Sequence, residues 1–219
     1  MFKTILQIIV LIYIILVIYF SYKLQKYNMN GFIIETDNNE VMVQNIKKLN
    51  PILLNINYPI SYIPYLTHET YIFKDKDLVD ELNIQNGFNI NQLNNPEFHF
   101  PVQKSVSIIQ KNNVTLQRCI HNYNIINVLD GGCFIYLFNP KHKKEIENKE
   151  NYQIKKWGHK KYIQQGDVII IPPYWSYIQE VDEKIIQYHI DIDTYFTFIP
   201  NFMKGFYLEY TYEPTHSFL

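Results

Sequence analysis

His189-Ile190-Asp191 sets an imidazole and a carboxylate two residues apart, and on a β-strand that spacing points both side chains to one face. Joined by His216, they would spell the two-histidine, one-carboxylate triad that holds non-haem Fe(II) and leaves positions open for other ligands. A match this short arises readily by chance, and the triplet lies on the last strand the pattern supports, with too few strands after it to bring His216 round. A polar strand face is the plainer expectation. The two cysteines, Cys119 and Cys133, are too few for a disulfide scaffold. Neither has a local signature of a nucleophile beside a base, so each is expected to be a small buried residue in a strand. The seven glycines nowhere form a phosphate-cradling G-x-G-x-x-G.

The elements that must position these groups are best marked between Asn124 and Ile190. Ile125 to Leu129 and Cys133 to Phe138 flank Asp130-Gly131-Gly132, which predicts a hairpin ending at Asn139-Pro140. Gly166-Asp167 is a turn signal, Val168 to Ile171 an apolar strand, Pro172-Pro173 a break, and Trp175 the start of a second strand. A strand bent at a corner is expected there. Lys184 to Asp193 alternates Ile186, Tyr188, Ile190 and Ile192 against Gln187, His189, Asp191 and Asp193, the period of a strand with one buried face. Upstream, Ser105 to Ile109 and Val114 to Ile120 read as strands around Lys111-Asn112-Asn113, and Asp75 to Gly87 as the one good soluble helix. Lys141 to Lys161 is a charged insertion, expected to be a solvated loop or short helix with Trp157 plugging an apolar gap.

Thr4 to Tyr22 is almost wholly Ile, Leu, Val, Tyr and Phe. At about 1.5 Å per residue it reaches the roughly 30 Å of a hydrocarbon core. Tyr19, Phe20 and Tyr22 stand where an aromatic belt belongs, and Lys3, Lys23 and Lys26 flank the run. No small-x-small cleavage site follows. The expectation is a single-pass membrane protein anchored through residues 4–22, with the positive-inside rule favouring a cytoplasmic C-terminal domain. A net charge of −1 without a basic cluster gives no footprint for nucleic acid. The aromatic tail after Asp193, including Phe198, Phe202, Phe206 and Tyr210, is the candidate surface for a protein partner. Asn113-Val114-Thr115 fits a glycosylation sequon, which matters only outside the cytoplasm.

The order of these elements resembles the Jumonji-C and cupin-like hydroxylases. Thr115, Asn124, Leu129, Gly131, Leu137, Phe138, Pro140, Gly166, Asp167, Ile171, Pro172, Pro173 and Trp175 fall at matching places across Ser105 to Ile192. The resemblance implies a mainly β fold, a double-stranded β-helix (jelly-roll, cupin-like), here with an N-terminal transmembrane helix. It also implies an iron site built from a His, an Asp two residues on and a distal His, with 2-oxoglutarate as cosubstrate. In this chain those three positions hold Arg118, Ile120 and Tyr177, and the position of the cosubstrate-binding Lys holds Cys133. A guanidinium has no lone pair for a metal. His121 is three positions from the expected His, an odd shift that on a strand would turn it to the opposite face.

Residues 1–22 are thus expected to be an anchor, 23–50 a stalk with the first short strands (Phe32 to Ile34 and Val41 to Val43), 51–199 the Jumonji-C/cupin-like domain and 200–219 the aromatic tail. The former metal and cosubstrate pocket would comprise Arg118, Ile120, Asn124, Cys133 and Tyr177, with the Arg118 side chain filling it beside Tyr177. The function expected is a non-catalytic binding or structural module without a cofactor. The alternative is an Fe(II)/2-oxoglutarate hydroxylase with unorthodox ligands, for which His189, Asp191 and His216 are the candidates.

Overall fold

The computed structural model describes residues 2–27, 32–55, 99–110, 116–147, 149 and 151–203. The helix expected at Asp75 to Gly87, the sequon at Asn113 and His216 lie outside them. Two longer helices and nine strands are described: α1 (Phe2–Tyr27), β1 (Ile34–Glu35), α2 (Asn39–Lys47), β2 (Ile52–Asn55), β3 (His99–Gln110), β4 (Gln117–Arg118), β5 (Tyr123–Phe138), β6 (His159–Gln164), β7 (Asp167–Ile171), β8 (Ser176–Glu180) and β9 (Lys184–Thr194).

The strands form a mainly β sandwich. In one sheet β3 pairs with β9, β9 with the first half of β5, and that half with β7, the edge being extended by β2 and β1. In the other, β4 pairs with β8, β8 with the second half of β5, and that half with β6. All pairs but β1 with β2 are antiparallel. With β5 counted in both sheets, this alternation is a cupin-like jelly roll, the double-stranded β-helix that the sequence resemblance implies. Ile126, Val128, Ile169 and Ile171 of the first sheet meet Cys133, Ile135, Leu137, Ile163 and Tyr177 of the second in one buried cluster, which is the barrel interior.

Asp130-Gly131-Gly132 is a bend within one 16-residue strand and not the expected hairpin turn. Asp130 and Gly131 go on pairing with Ile186 and Ile185, and the register slips between Val128 and Asp130, so the glycines make a bulge that carries β5 from one sheet to the other. Gly131 has φ 77°, and a Cβ there would stand 2.2 Å from the Lys184 carbonyl oxygen. The second corner follows the sequence closely: β7 ends at Ile171, Tyr174 turns at φ 70°, and β8 begins in the opposite sheet at Ser176.

The outer face of the first sheet is as apolar as the inner one. Ile186, Tyr188, Ile190 and Ile192 of β9 lie there with Val106, Ile108, Ile125, Val168 and Ile170, covered by Met42 and Ile46 of α2 and by Leu49 just beyond it. Val41 to Val43, expected in a strand, are helical because Asn38 caps α2, its Oδ1 accepting the Glu40 and Val41 amides at 2.8 and 3.4 Å. In the insertion, Ile146 and Ile154 pack with Tyr136, Phe138 and Ile178 on the outside of the second sheet. Trp157 is 36 % exposed and lies beside His142, so it plugs no gap. The tail, expected to have no helical period, makes a helical turn over 198–203.

α1 carries exposed Ile5, Leu6, Ile8, Ile9, Val10, Leu11, Ile12, Ile14, Ile15 and Ile18. It meets the barrel at Tyr13, whose hydroxyl donates to the Tyr195 carbonyl at 3.0 Å and whose ring lies 6.5 Å from that of Phe196. Among the described residues no helix is long and apolar enough to cross a membrane. The expected helix is present; the expected span is not shown.

Candidate functional site

The alternation of β9 decides what lies inside the barrel. Because Ile186, Tyr188, Ile190 and Ile192 face outward under α2, Gln187, His189, Asp191 and Asp193 face inward. The apolar stripe is buried against a helix, and the polar stripe against the opposing sheet.

Asp193, with no exposed surface, anchors a cluster at one end of the interior. Its Oδ1 accepts the Asn122 backbone amide at 3.0 Å and Asn201 Nδ2 at 2.7 Å, and its Oδ2 faces His121 Nδ1 at 2.8 Å. His121 Nε2 stands 3.9 Å from Asp191 Oδ2, and Asp191 Oδ1 accepts Asn124 Nδ2 at 2.6 Å. The parity argument that turned His121 away fails because β4 ends at Arg118, leaving 119–122 as a loop free of strand alternation. That loop is pinned to the second corner: the Cys119 amide donates to the Trp175 carbonyl at 2.8 Å, and the Tyr174 amide to the Cys119 carbonyl at 2.9 Å. Trp175, with no exposed surface, fixes the corner in the core.

The positions implied by the resemblance fall differently. Gln117 pairs with Tyr177, and Tyr177 donates to Gln117 Oε1 at 2.6 Å, so Gln117 is the β4 side chain directed inward. Arg118 points outward to the insertion, where its Nη2 meets Glu147 Oε1 at 2.9 Å. The Arg118 side chain does not fill the pocket. Ile120 is half-buried in the loop, and Cys133 is buried on the inner face beside Ile163. His189 bonds Ser107 Oγ through Nε2 at 2.7 Å. Sequence reasoning weighs His121 and turns it away, and misses Asn122, Asp193 and Asn201; the signal for Asp193 is the polar half of the β9 alternation, a face that lies inside the barrel.

Burial and the two carboxylates keep the neighbouring acids neutral. The Cys119 thiol is pushed well up, first by burial and then by the charges of Asp191 and Asp193. Cys133 is pushed up to about 12 by burial and by Asp182. Neither is a ready thiolate, so thiol catalysis has no support. The Tyr177 phenol is raised by burial, then by Asp191 and Cys119.

Iron fits this site poorly. The inward strand positions hold Gln117 and Tyr177, closed on each other. A carboxylate that already accepts two N–H groups draws the His121 proton to Nδ1; the Nε2 lone pair this leaves has Asp191 Oδ2 3.9 Å away, Asp193 Oδ2 is held by Nδ1, and the Oδ1 atoms of Asp191 and Asp193 are engaged by amides. Among the described residues no three His, Cys, Asp or Glu side chains are grouped to hold a metal ion. What the cluster can do is hold a proton on a carboxylate-oriented imidazole and accept hydrogen bonds from a polar ligand.

No family model matches the chain, and no curated protein sequence matches it. Among solved structures, the chain is similar to the plu4264 protein from Photorhabdus luminescens, with 13 % identity and a TM-score of 0.31 over 47 % of this chain and 70 % of that one. It is similar to the hydroxypropylphosphonic acid epoxidase from S. wedmorenis in complex with fosfomycin, with 7 % identity and a TM-score of 0.31 over 41 % of this chain and 42 % of the other. A third is an oxalate decarboxylase, at 14 % identity and a TM-score of 0.31 over 42 % of this chain and 22 % of the other. The chain spans less than half the length of the last two. The likeness lies in the arrangement of strands over part of the chain and does not bear on its chemistry.

Proposed function

We propose that this chain is a Jumonji-C/cupin-like binding module, carried on a membrane helix at residues 4–22, that does no iron and 2-oxoglutarate chemistry. The observation that carries this reading is the hydrogen bond from Tyr177 to Gln117 Oε1, which closes the inward side chains of β4 and β8 on each other and engages Tyr177, the position where the resembled family sets its distal His. The membrane part rests on α1, where exposed apolar side chains, among them Ile5, Ile8, Ile9, Leu11, Ile15 and Ile18, run along the helix. A cytoplasmic domain follows from the flanking lysines, and the aromatic tail offers a surface to a protein partner.

A second reading, an Fe(II)/2-oxoglutarate hydroxylase with unorthodox ligands, draws on the approach of His121 to Asp191 and Asp193. Succinate release by the full-length chain in detergent, with Fe(II), ascorbate and 2-oxoglutarate, separates the two. The binding-module reading expects none above the protein-free background. Succinate formed by the wild type and lost in His121→Ala would establish the second reading and sink the first.

A further inference from the structure

Beyond the His121 cluster, the barrel interior holds buried amides without partners. Gln187 has no exposed surface, shares its face of β9 with His189 and Asp191, and neither its Nε2 nor its Oε1 meets a hydrogen-bond partner among the described residues. Gln179, 4 % exposed, faces the same interior from β8, its Nε2 likewise unpartnered. Asn124, which gives its Nδ2 to Asp191, has an unpartnered Oδ1. The registers set Gln187 beside Val128, Gln179 beside Ile135 and Asn124 beside Asp191. Nearly all buried polar atoms in folded proteins are paired, because an unpaired one has given up water for nothing. A sequence free to place Leu or Val on these inner positions, as it does at Val128 and Ile135, instead keeps two primary amides there.

We propose that the interior between Gln187 and Gln179 binds a small uncharged molecule bearing carboxamide or hydroxyl groups. Gln187 would contact it at two points, Nε2 donating and Oε1 accepting, and Gln179 Nε2 would donate to it from the facing sheet. Anions are disfavoured: Val128, Ser107 and Ile135, the register neighbours of the two amides, carry no charge, and Asp191 and Asp193 stand on the side of Asn124. This site rests on the binding-module reading and names the ligand class for it.

The test is saturation-transfer NMR on the metal-free full-length chain in detergent, with glycolamide and erythritol as uncharged probes and glycolate as the charged control. Transfer to at least one uncharged probe is expected, with none to glycolate, and Gln187→Leu should weaken the apparent affinity at least about tenfold. Because that substitution removes an unpartnered amide, the variant should melt no lower than wild type, so lost binding is not lost folding. Gln179→Met is a second variant and should weaken the same probe. Equal transfer in wild type and both variants would overturn the proposal. So would the absence of transfer, including the case in which the Gln187 amide contacts only a long-lived water. Failure of the module reading itself would show separately, as succinate formation.

Discussion

Glu180 shows how a single carboxylate ties the insertion to the barrel. Lys155 donates to its Oε1 at 2.7 Å and Tyr136 to its Oε2 at 2.9 Å. These bonds hold its pKa below the ordinary carboxyl value of 4.5, the Lys155 hydrogen bond being the largest cause and partial burial opposing it. The folded chain therefore binds this proton more weakly than the unfolded one, and the stabilisation is complete above pH 4.5 and fades as the pH falls through the depressed folded value. Thermal melts from pH 3 to 7 should show wild type above Glu180→Gln at neutral pH, with the gap closing below pH 4.5. A gap that stayed constant would mean Glu180 acts by shape and not by charge. Arg118 and Glu147 form a similar pair with side chains 20 % and 27 % exposed. Such a pair is worth only about 0–1 kcal/mol, so its interest lies in where it points Arg118.

Among the elements, β5 depends most on a single residue. Gly131 occupies a left-handed conformation against the Lys184 carbonyl, so Gly131→Ala adds backbone strain to a close approach that cannot relax without moving β9. It should lower stability by about 1–3 kcal/mol or more, read as a shift in the urea midpoint, whereas Gly132→Ala, without a positive φ, meets the movable end of Tyr162 and the Ile163 carbonyl oxygen at 3.0 Å and should cost less. Equal costs would contradict the bulge. Several strands were legible in the sequence: the β7 corner, the β9 alternation and the two halves of β5 stand where turn residues and apolar periodicity put them, whereas β6 begins at His159 inside the expected charged insertion and β4 is described only at Gln117–Arg118 of the strand expected from Val114 to Ile120. What was not legible was their sidedness. A period of two reports that one face is apolar, not whether that face meets the other sheet or a helix, and in β9 it meets α2. Likewise Gly131-Gly132 signals a special backbone, which serves a bulge as well as a turn. His121 and Asn201 come to Asp193 from a loop and from the 198–203 turn, and no local pattern could have joined them.

On the scale of the whole molecule, α1 and the barrel meet at Tyr13, midway along the apolar run, where a span would put the bilayer centre. A helix that crosses the bilayer cannot also hold Tyr195 at that depth, so membrane insertion should separate them. With a fluorophore at position 13 or 195 in liposomes, a lipid-buried quencher should act on the first and a water-soluble quencher on the second. The same quencher acting on both would mean that the helix lies along the surface with the barrel. The central claim, that this jelly roll holds ligands without iron, is most directly tested by counting metal. After anaerobic equilibrium dialysis of the full-length chain against Fe(II), the account expects well under one iron per chain, unchanged in His121→Ala and His189→Ala. One iron per chain, lost in either variant, would contradict it.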